Sequence, residues 1–264
     1  MAVCAEEPKN FKNTSLTGAL KYGIYQMDLA SCRKGRYIPI HKQFIRAMDF
    51  GCGFLLTGAN DKTIRCVDYQ NAKTLNVFQC RQPVWSVAWN RSKSLAYGGL
   101  GNGDIVEFDI RIKSKDPTRT LKSGGTQPIH SLQFKNNGLL TGQYKSISWT
   151  PLDNAQSTVL ILAGQTDQMG PCVALHESQG TIVTTFRGLE GAPEPKTLVA
   201  KLQFGHDGQN RTVEAKTISQ FIVSEKHQAM TRDKMLTVNG APVVACSNQS
   251  GNTVKLFTPQ GALG

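Results

Sequence analysis

No stretch of this 264-residue chain approaches the roughly 18 consecutive apolar residues that a membrane-crossing helix needs. The first ten residues, MAVCAEEPKN, lack an apolar signal core, so the chain is expected to be soluble and intracellular, with no membrane partner. The 7 cysteines, Cys4, Cys32, Cys52, Cys66, Cys80, Cys172 and Cys246, are odd in number and contain no CxxC pair. That excludes a disulfide framework and a paired zinc site, and leaves reduced structural thiols. Of the 5 histidines, His130, His176, His206 and His227 show no ligand spacing, and no cofactor or metal is expected in this chain. The sequons at Asn13, Asn90, Asn210 and Asn248 are coincidental without a secretory signal. Helical periodicity is scarce throughout. Acidic residues are scarce too, at 19 against 30 Lys plus Arg.

What is present is a repeat with a spacing of about forty residues. FIRAMDF then LLTGANDKTIRCVDY, PVWSVAW then LAYGGLGNGDIVEFDI, and PIHSLQF then LLTGQYKSISWT align from Phe44, Pro83 and Pro128. Each copy reads as an alternating strand, a loop, a short apolar strand, a tight turn and a second alternating strand. Ile45, Met48 and Phe50 correspond to Val84, Val87 and Trp89, then to Ile129, Leu132 and Phe134. The turns Asn60–Asp61, Gly101–Asn102–Gly103 and Gln143–Tyr144 fall in step, where a hairpin needs positive φ or a side chain that caps its own backbone. Such a unit is apolar on both faces and must be stacked on neighbours, which predicts an all-β propeller blade. The strand signals run from Tyr22 to Phe257, giving about five full blades plus partial ends. Residues 1–20 are expected to be a disordered N-terminal segment, and 21–264 a propeller that is incomplete at its C-terminus. The first blade shows only its last two strands, around 23–28 and 37–41.

Charge is lopsided. Residues 1–150 hold 21 Lys plus Arg against 10 Asp plus Glu, a net +11, whereas residues 151–264 hold 9 of each. The densest point is Arg111, Lys113, Lys115, Arg119 and Lys122, with Asp116 the only acid among them. A field of this sign attracts an acidic peptide, a phosphorylated segment or a nucleic-acid backbone, and speeds encounter by steering.

Catalytic patterns have better structural readings. GGLGNG at 98–103 has GxGxG spacing and a strand after it, whereas a phosphate-cradling loop needs a helix N-terminus. His41, Thr57 and Asp61 imitate a hydroxyl–imidazole–carboxylate relay, but no strained nucleophile turn or oxyanion pocket accompanies them.

YQMDLASCRKGRYIPIHKQFIRAMDF followed by LLTGANDKTIRCVDY resembles the WD-repeat pattern, in which an aromatic-Asp strand end leads through a loop to a His. The resemblance implies a seven-bladed WD40-type β-propeller and makes His41, Thr57 and Asp61 a structural hydrogen-bond network. Cys66 stands where the network's Trp is expected, Gln82 replaces the His of the second copy, and Asn102 replaces its Asp. Over Ile38 to Arg111, with Pro83–Ser86 and Gly99, Leu100, Asn102 and Gly103 the most specific, the chain resembles the C-terminal propeller of RING-finger and WD-repeat ubiquitin ligases. Beyond about Leu152 the likeness thins to spacing. It implies a nuclear protein of ubiquitin conjugation and DNA repair at stalled forks and interstrand crosslinks. The implied partner is an acidic segment of replication protein A. A ubiquitin-conjugating enzyme would be engaged only through a RING, whose paired Cys/His zinc ligands this chain lacks; an enzymatic role therefore stays open.

Propellers bind through the first-strand bulge and the turn between second and third strands. That geometry selects Arg46, Trp85 and His130 with Asn60, Asn102 and Tyr144, beside the basic Arg111, Lys113 and Lys115. Trp and Arg are enriched at binding hot spots. The alternatives are a non-enzymatic WD-repeat scaffold of another pathway and a basic propeller that binds nucleic acid directly.

Overall fold

A computed structural model describes residues 2–6, 20–28, 30–31, 33–90, 92, 94–153, 158–160, 169–188, 195–207, 210–222, 234–238, 241–248, 253–258 and 261–262. Strands and turns account for these residues, with no helix among them. The chain forms two compact units, Met1–Leu121 and Lys122–Gly264.

The first unit begins with a three-stranded sheet of β1 (Ala2–Glu6), β2 (Tyr22–Met27) and β3 (Lys34–His41). β4 (Ile45–Gly51), β5 (Phe54–Ala59), β6 (Thr63–Asp68) and β7 (Lys73–Gln79) make the second sheet. β8 (Val84–Asn90), β9 (Leu95–Leu100), β10 (Asp104–Asp109) and β11 (Arg119–Lys122) make the third. In the second unit the sheets are β12 (Ser131–Lys135), β13 (Gly138–Gly142), β14 (Ile147–Pro151) and β15 (Thr158–Leu160); β16 (Met169–Ser178), β17 (Thr181–Gly188), β18 (Lys196–Asp207) and β19 (Asn210–Ile222); and β20 (Lys234–Val238), β21 (Ala241–Asn248), β22 (Thr253–Thr258) and β23 (Gly261–Ala262).

One correction to the sequence reading concerns the first sheet. Ala2–Glu6 pairs with β2, so the first sheet has three strands where two were read. AVCAE is too short to announce a strand by its pattern, and the pairing with β2 is what makes it one. The last sheet has four strands, with Gly261–Ala262 paired to β22. Residues 7–19 of the expected disordered segment lie outside the described residues.

Alternating strands bury both faces. In β5, Leu55 belongs to a core with Ile24, Ile38 and Ile40 of the first sheet, while Leu56 belongs to a core with Val84, Val87 and Trp89 of the third. Period-2 geometry sends consecutive side chains to opposite faces, so one strand serves two interfaces. A Cβ at Gly58 would stand 2.5 Å from Val84 Cγ1, so only glycine lets the third sheet approach there. Phe50 departs from its expected core role. It lies at the strand end, 47% exposed, with its ring edge-on to Tyr69 at 5.3 Å.

Neighbouring sheets are clasped by side chains that sequence patterns do not reveal. Asp49 Oδ2 accepts the Trp89 N–H at 2.9 Å, and its carbonyl accepts the indole N–H at 3.3 Å. In the second unit Gln133 accepts the Glu177 N–H at 2.8 Å and donates back to the Glu177 carbonyl at 3.2 Å. Removing the acceptor leaves a buried N–H unsatisfied. Asp49→Ala is therefore expected to cost about 1–3 kcal/mol, read as a lower denaturant midpoint, with Asp49→Asn recovering most of the loss because its amide oxygen still accepts.

Candidate partner-binding face

The left-handed residue of each second-to-third-strand turn is one that the sequence grouping includes only in the second copy. It is Lys62 (φ 60°), Gly103 (φ 82°) and Lys145 (φ 58°) in the three copies. These turns are therefore three- or four-residue loops with the positive φ late in the turn, and in the first copy the Asp61 side chain caps the turn by accepting the Thr63 N–H.

Asp61 serves four donor groups at once. It accepts from His41 Nδ1 at 3.1 Å, the Lys42 N–H at 2.9 Å, the Thr63 N–H at 3.2 Å and the Thr63 hydroxyl at 2.7 Å. On the other side of the imidazole, His41 Nε2 lies 2.9 Å from Thr57 Oγ1. His41, Thr57 and Asp61 thus meet as one chain of bonds, and Thr63 joins it. Thr63 was not selected from the sequence, although its place two residues after a turn Asp was the available signal. The chain of bonds pins the residues before β4 to the turn before β6. It has no exposed nucleophile, because His41 and Thr57 are fully buried.

Burial alone would raise the Asp61 pKa, but the His41 contact and the other donors outweigh it and hold the carboxyl well below its usual range. For His41 burial dominates and lowers the pKa from 6.5, against the opposing pull of Asp61. The neutral ring then donates Nδ1–H to Asp61 and accepts the Thr57 proton at Nε2. The folded form disfavours the imidazolium, so this stabilisation is complete above the unfolded value of 6.5 and is lost as pH falls through the lower folded pKa. Wild-type thermal midpoints are expected to fall between pH 7.5 and 5.5 more steeply than those of His41→Asn, measured by scanning calorimetry in one ionic strength.

The other two copies hold the corresponding place differently. In the second, Gly98 replaces the Thr, and a Cβ there would collide with Ile64 of the neighbouring sheet. In the third, Thr141 Oγ1 and Ser148 Oγ are 2.6 Å apart, Ser148 donates to the Ser123 carbonyl at 2.8 Å, and Gln143 donates to the Gln127 carbonyl at 2.7 Å. Hydroxyls and an amide there do what imidazole and carboxylate do in the first copy.

Next to the buried network lies the surface cluster. The register of β4 with β5 passes from Ile45–Ala59 to Ala47–Gly58, leaving Arg46 as an extra residue. The register of β8 with β9 passes from Val84–Leu100 to Ser86–Gly99, leaving Trp85 likewise. Such bulges re-aim a side chain. They bring the Arg46 guanidinium 3.8 Å over the Trp85 ring, within range of a cation–π contact. Arg46 Nε also donates to Asn60 Oδ1 at 2.6 Å, and Phe44 flanks the guanidinium at 6.0 Å. Burial lowers the Arg46 pKa, the mark of a partly dehydrated cation. Trp85 is half-buried, whereas Trp89 and Trp149 are 3% and 1% exposed.

Of the remaining turn and bulge residues, Asn102 follows Gly101, which lies against the Trp85 ring, and His130 and Tyr144 belong to the other unit. Asn102 folds onto its own turn, donating to Asp104 at 2.9 Å. His130 stands just before β12, its N–H bonded to the Gly142 carbonyl at 2.9 Å, at the place that Arg46 and Trp85 take in their sheets. Tyr144 is 38% exposed, bridges to Pro171 and carries Lys145 Nζ 5.6 Å above its ring.

The basic cluster is less bare than its sequence suggests. Arg111 makes a two-pronged pair with Asp109 at 2.9 and 2.6 Å, and Arg119 Nη2 meets Glu107 at 2.9 Å. Asp116 is thus not the only acid in reach, because β10 supplies two more. Lys113 and Lys115 are exposed on the connection after β10, which lies along β7: Asn76 donates to the Ile110 carbonyl at 3.3 Å and the Gln79 N–H to the Lys115 carbonyl at 2.9 Å. β7 is the far edge of the second sheet from β4, three strand spacings or about 14 Å across. Arg46 and Trp85 on one side, and Lys113 and Lys115 on the other, are separate surfaces.

Among the described residues no group of three or more His, Cys, Asp or Glu could hold a metal ion. Cys52, Cys66, Cys80 and Cys172 are free thiols, and burial pushes Cys66, Cys80 and Cys172 up to about 12. No described helix is long and apolar enough to cross a membrane.

Comparison with known proteins places these features. The chain is similar over 89% of its length to the solved structures of U3-55K (TM-score 0.66, 15% identity, 71% of that chain) and of the RRP9 WD40 repeats (TM-score 0.68, 14% identity, 70% of that chain). The fold is therefore an all-β WD40-type propeller. Among curated proteins, the E3 ubiquitin-protein ligase RFWD3 of Homo sapiens is 27% identical over 117 residues, which is 43% of this chain and 15% of that protein. RFWD3 of Ailuropoda melanoleuca is 26% identical over 144 residues, 50% of this chain and 19% of that protein. The chain thus spans less than a fifth of the length of these curated relatives. The family model for the WD40 domain of E3 ubiquitin-protein ligase RFWD3 matches residues 10–261. With that match over most of its length, the chain belongs to the RFWD3 WD40 domain family, the WD-repeat domain of an E3 ubiquitin ligase.

Proposed function

We propose that this chain recruits partners for a RING-type E3 ubiquitin ligase of the nuclear DNA-damage response, acting at stalled replication forks and interstrand crosslinks. The proposed partner is an acidic segment of replication protein A, with the conjugating enzyme engaged by a RING of the whole ligase. The observation that carries the reading is the Arg46–Trp85 stack held by Asn60. An indole left half-open at a strand bulge, with a partly dehydrated cation on its face, has the composition of an interaction hot spot and lacks the groups for catalysis. Family membership supports the ligase part of this reading, since the matching model is the WD40 domain of an E3 ubiquitin-protein ligase.

The exposed Lys113 and Lys115, on a different surface, supply long-range attraction. Lys113→Glu with Lys115→Glu is expected to slow association with replication protein A about tenfold at low salt and to leave the dissociation rate nearly unchanged. Stopped-flow binding at two ionic strengths measures both. Unchanged association would remove the steering role. Tight, sequence-indifferent binding of DNA alone that weakens steeply with salt would favour a nucleic-acid surface instead.

A further inference from the structure

The chemistry of the Arg46–Trp85 cluster is specific enough to name what it holds. The guanidinium face lies on the indole and its Nε on the Asn60 amide oxygen, so its orientation is fixed from two sides. Arg46 is half-buried, so part of its hydration is already lost. A planar cation fixed in this way is matched by a carboxylate, which gains a charge-assisted bond without having to order the side chain first. The neighbouring surface is apolar: the indole, Phe44, and Tyr22, whose ring meets Phe44 edge-on at 6.2 Å. A single stacked cation beside aromatic rings suits one carboxylate on an extended chain with an apolar neighbour. A phosphate of nearly two charges calls for a cluster of cations.

We propose that Arg46 and Trp85 form a subsite for one Asp or Glu side chain of an acidic peptide, its methylenes on the indole edge and its carboxylate at the guanidinium. Asn60 is the positioning residue, because it bonds Arg46 and no part of the peptide. The inference rests on the reading that this face recruits a protein partner.

The test uses the full chain and a short fluorescent peptide containing Glu–Leu repeats, with a Gln–Leu twin and a phosphoserine version as probes. Trp85 is the one half-buried indole, the other two being buried, so intrinsic fluorescence gives a second readout. The Glu peptide is expected to bind with a spectral change, and the Gln twin at least about tenfold more weakly. Arg46→Ala should abolish the difference between them. Arg46→Lys keeps the charge but loses the planar stack, and should not restore it. Asn60→Ala should weaken the Glu peptide while leaving the Gln peptide unchanged. Circular dichroism melts establish that each variant is folded. Equal binding of Glu and Gln peptides, an unchanged preference in Arg46→Ala, or tighter binding of the phosphoserine peptide through Arg46 would each overturn the proposal. If replication protein A binding is lost in Trp85→Ala while the peptides show no Arg46 dependence, recruitment stands and the subsite chemistry fails. If the peptides behave as expected while replication protein A binds both variants normally, the subsite stands and that recruitment reading fails.

Discussion

Trp85→Ala is expected to weaken partner binding by more than about 2 kcal/mol, about thirtyfold in Kd, with little change in thermal midpoint. The asymmetry follows from where the indole stands. Trp85 occupies a bulge and is half-buried, outside the core that takes Val84 on one side of it and Val87 and Trp89 beyond. Its removal opens little void but takes away the surface on which Arg46 is laid at 3.8 Å. Trp89→Ala is the contrasting variant, since that ring is 3% exposed and packs within the core. It should destabilise by about 3–5 kcal/mol. Isothermal titration against replication protein A, with melts of both variants, separates the two cases. A Trp85→Ala protein that binds normally would refute the proposed face; one that unfolds would show Trp85 to be core.

The second large effect concerns Asp61. Asp61→Ala removes one acceptor from His41, from the Lys42 and Thr63 amides and from the Thr63 hydroxyl. With two or three buried donors left unpaired at 1–3 kcal/mol each, the expected loss is about 3–5 kcal/mol. Partner binding should fall as well, because Asn60, which holds Arg46, is the adjacent residue of the same turn. Asp61→Asn keeps an oxygen acceptor and should lose less. Hydrogen exchange gives the local readout: the amides of Lys42 and Thr63 should lose protection in Asp61→Ala before the strands of the same sheet do. If both amides stay protected, the network does not pin the turn.

The period, the strand alternation and the turn chemistry were legible because they are local. Leu55–Leu56 reads as one strand with two apolar faces, and the sheets on either side take one leucine each. The His41–Thr57–Asp61 grouping was legible only through resemblance, since 20 residues separate His41 from Asp61 and no spacing rule connects them. Illegible were the bonds that depend on how sheets stack. Asp49 finds Trp89, 40 residues on, and Gln133 finds Glu177, 44 residues on, through contacts between sheets. The third strand of the first sheet was missed for a related reason: Ala2–Glu6 is too short to carry a pattern, and its pairing with β2 makes it a strand.

By itself, then, the sequence determined that this protein is a repeated all-β array, that its net positive charge lies in residues 1–150, and which side chains stand at the bulges and turns. Tertiary structure decided how they act. Stacking of the second and third sheets set Arg46 on Trp85, whereas β10 brought Asp109 and Glu107 to Arg111 and Arg119 and left Lys113 and Lys115 as an exposed pair on another surface. The physical reason is one of range. Alternation and turn propensity act over a few residues, whereas a register shift of one residue in each of two strands, joined across a sheet interface, sets a guanidinium on an indole 39 positions away.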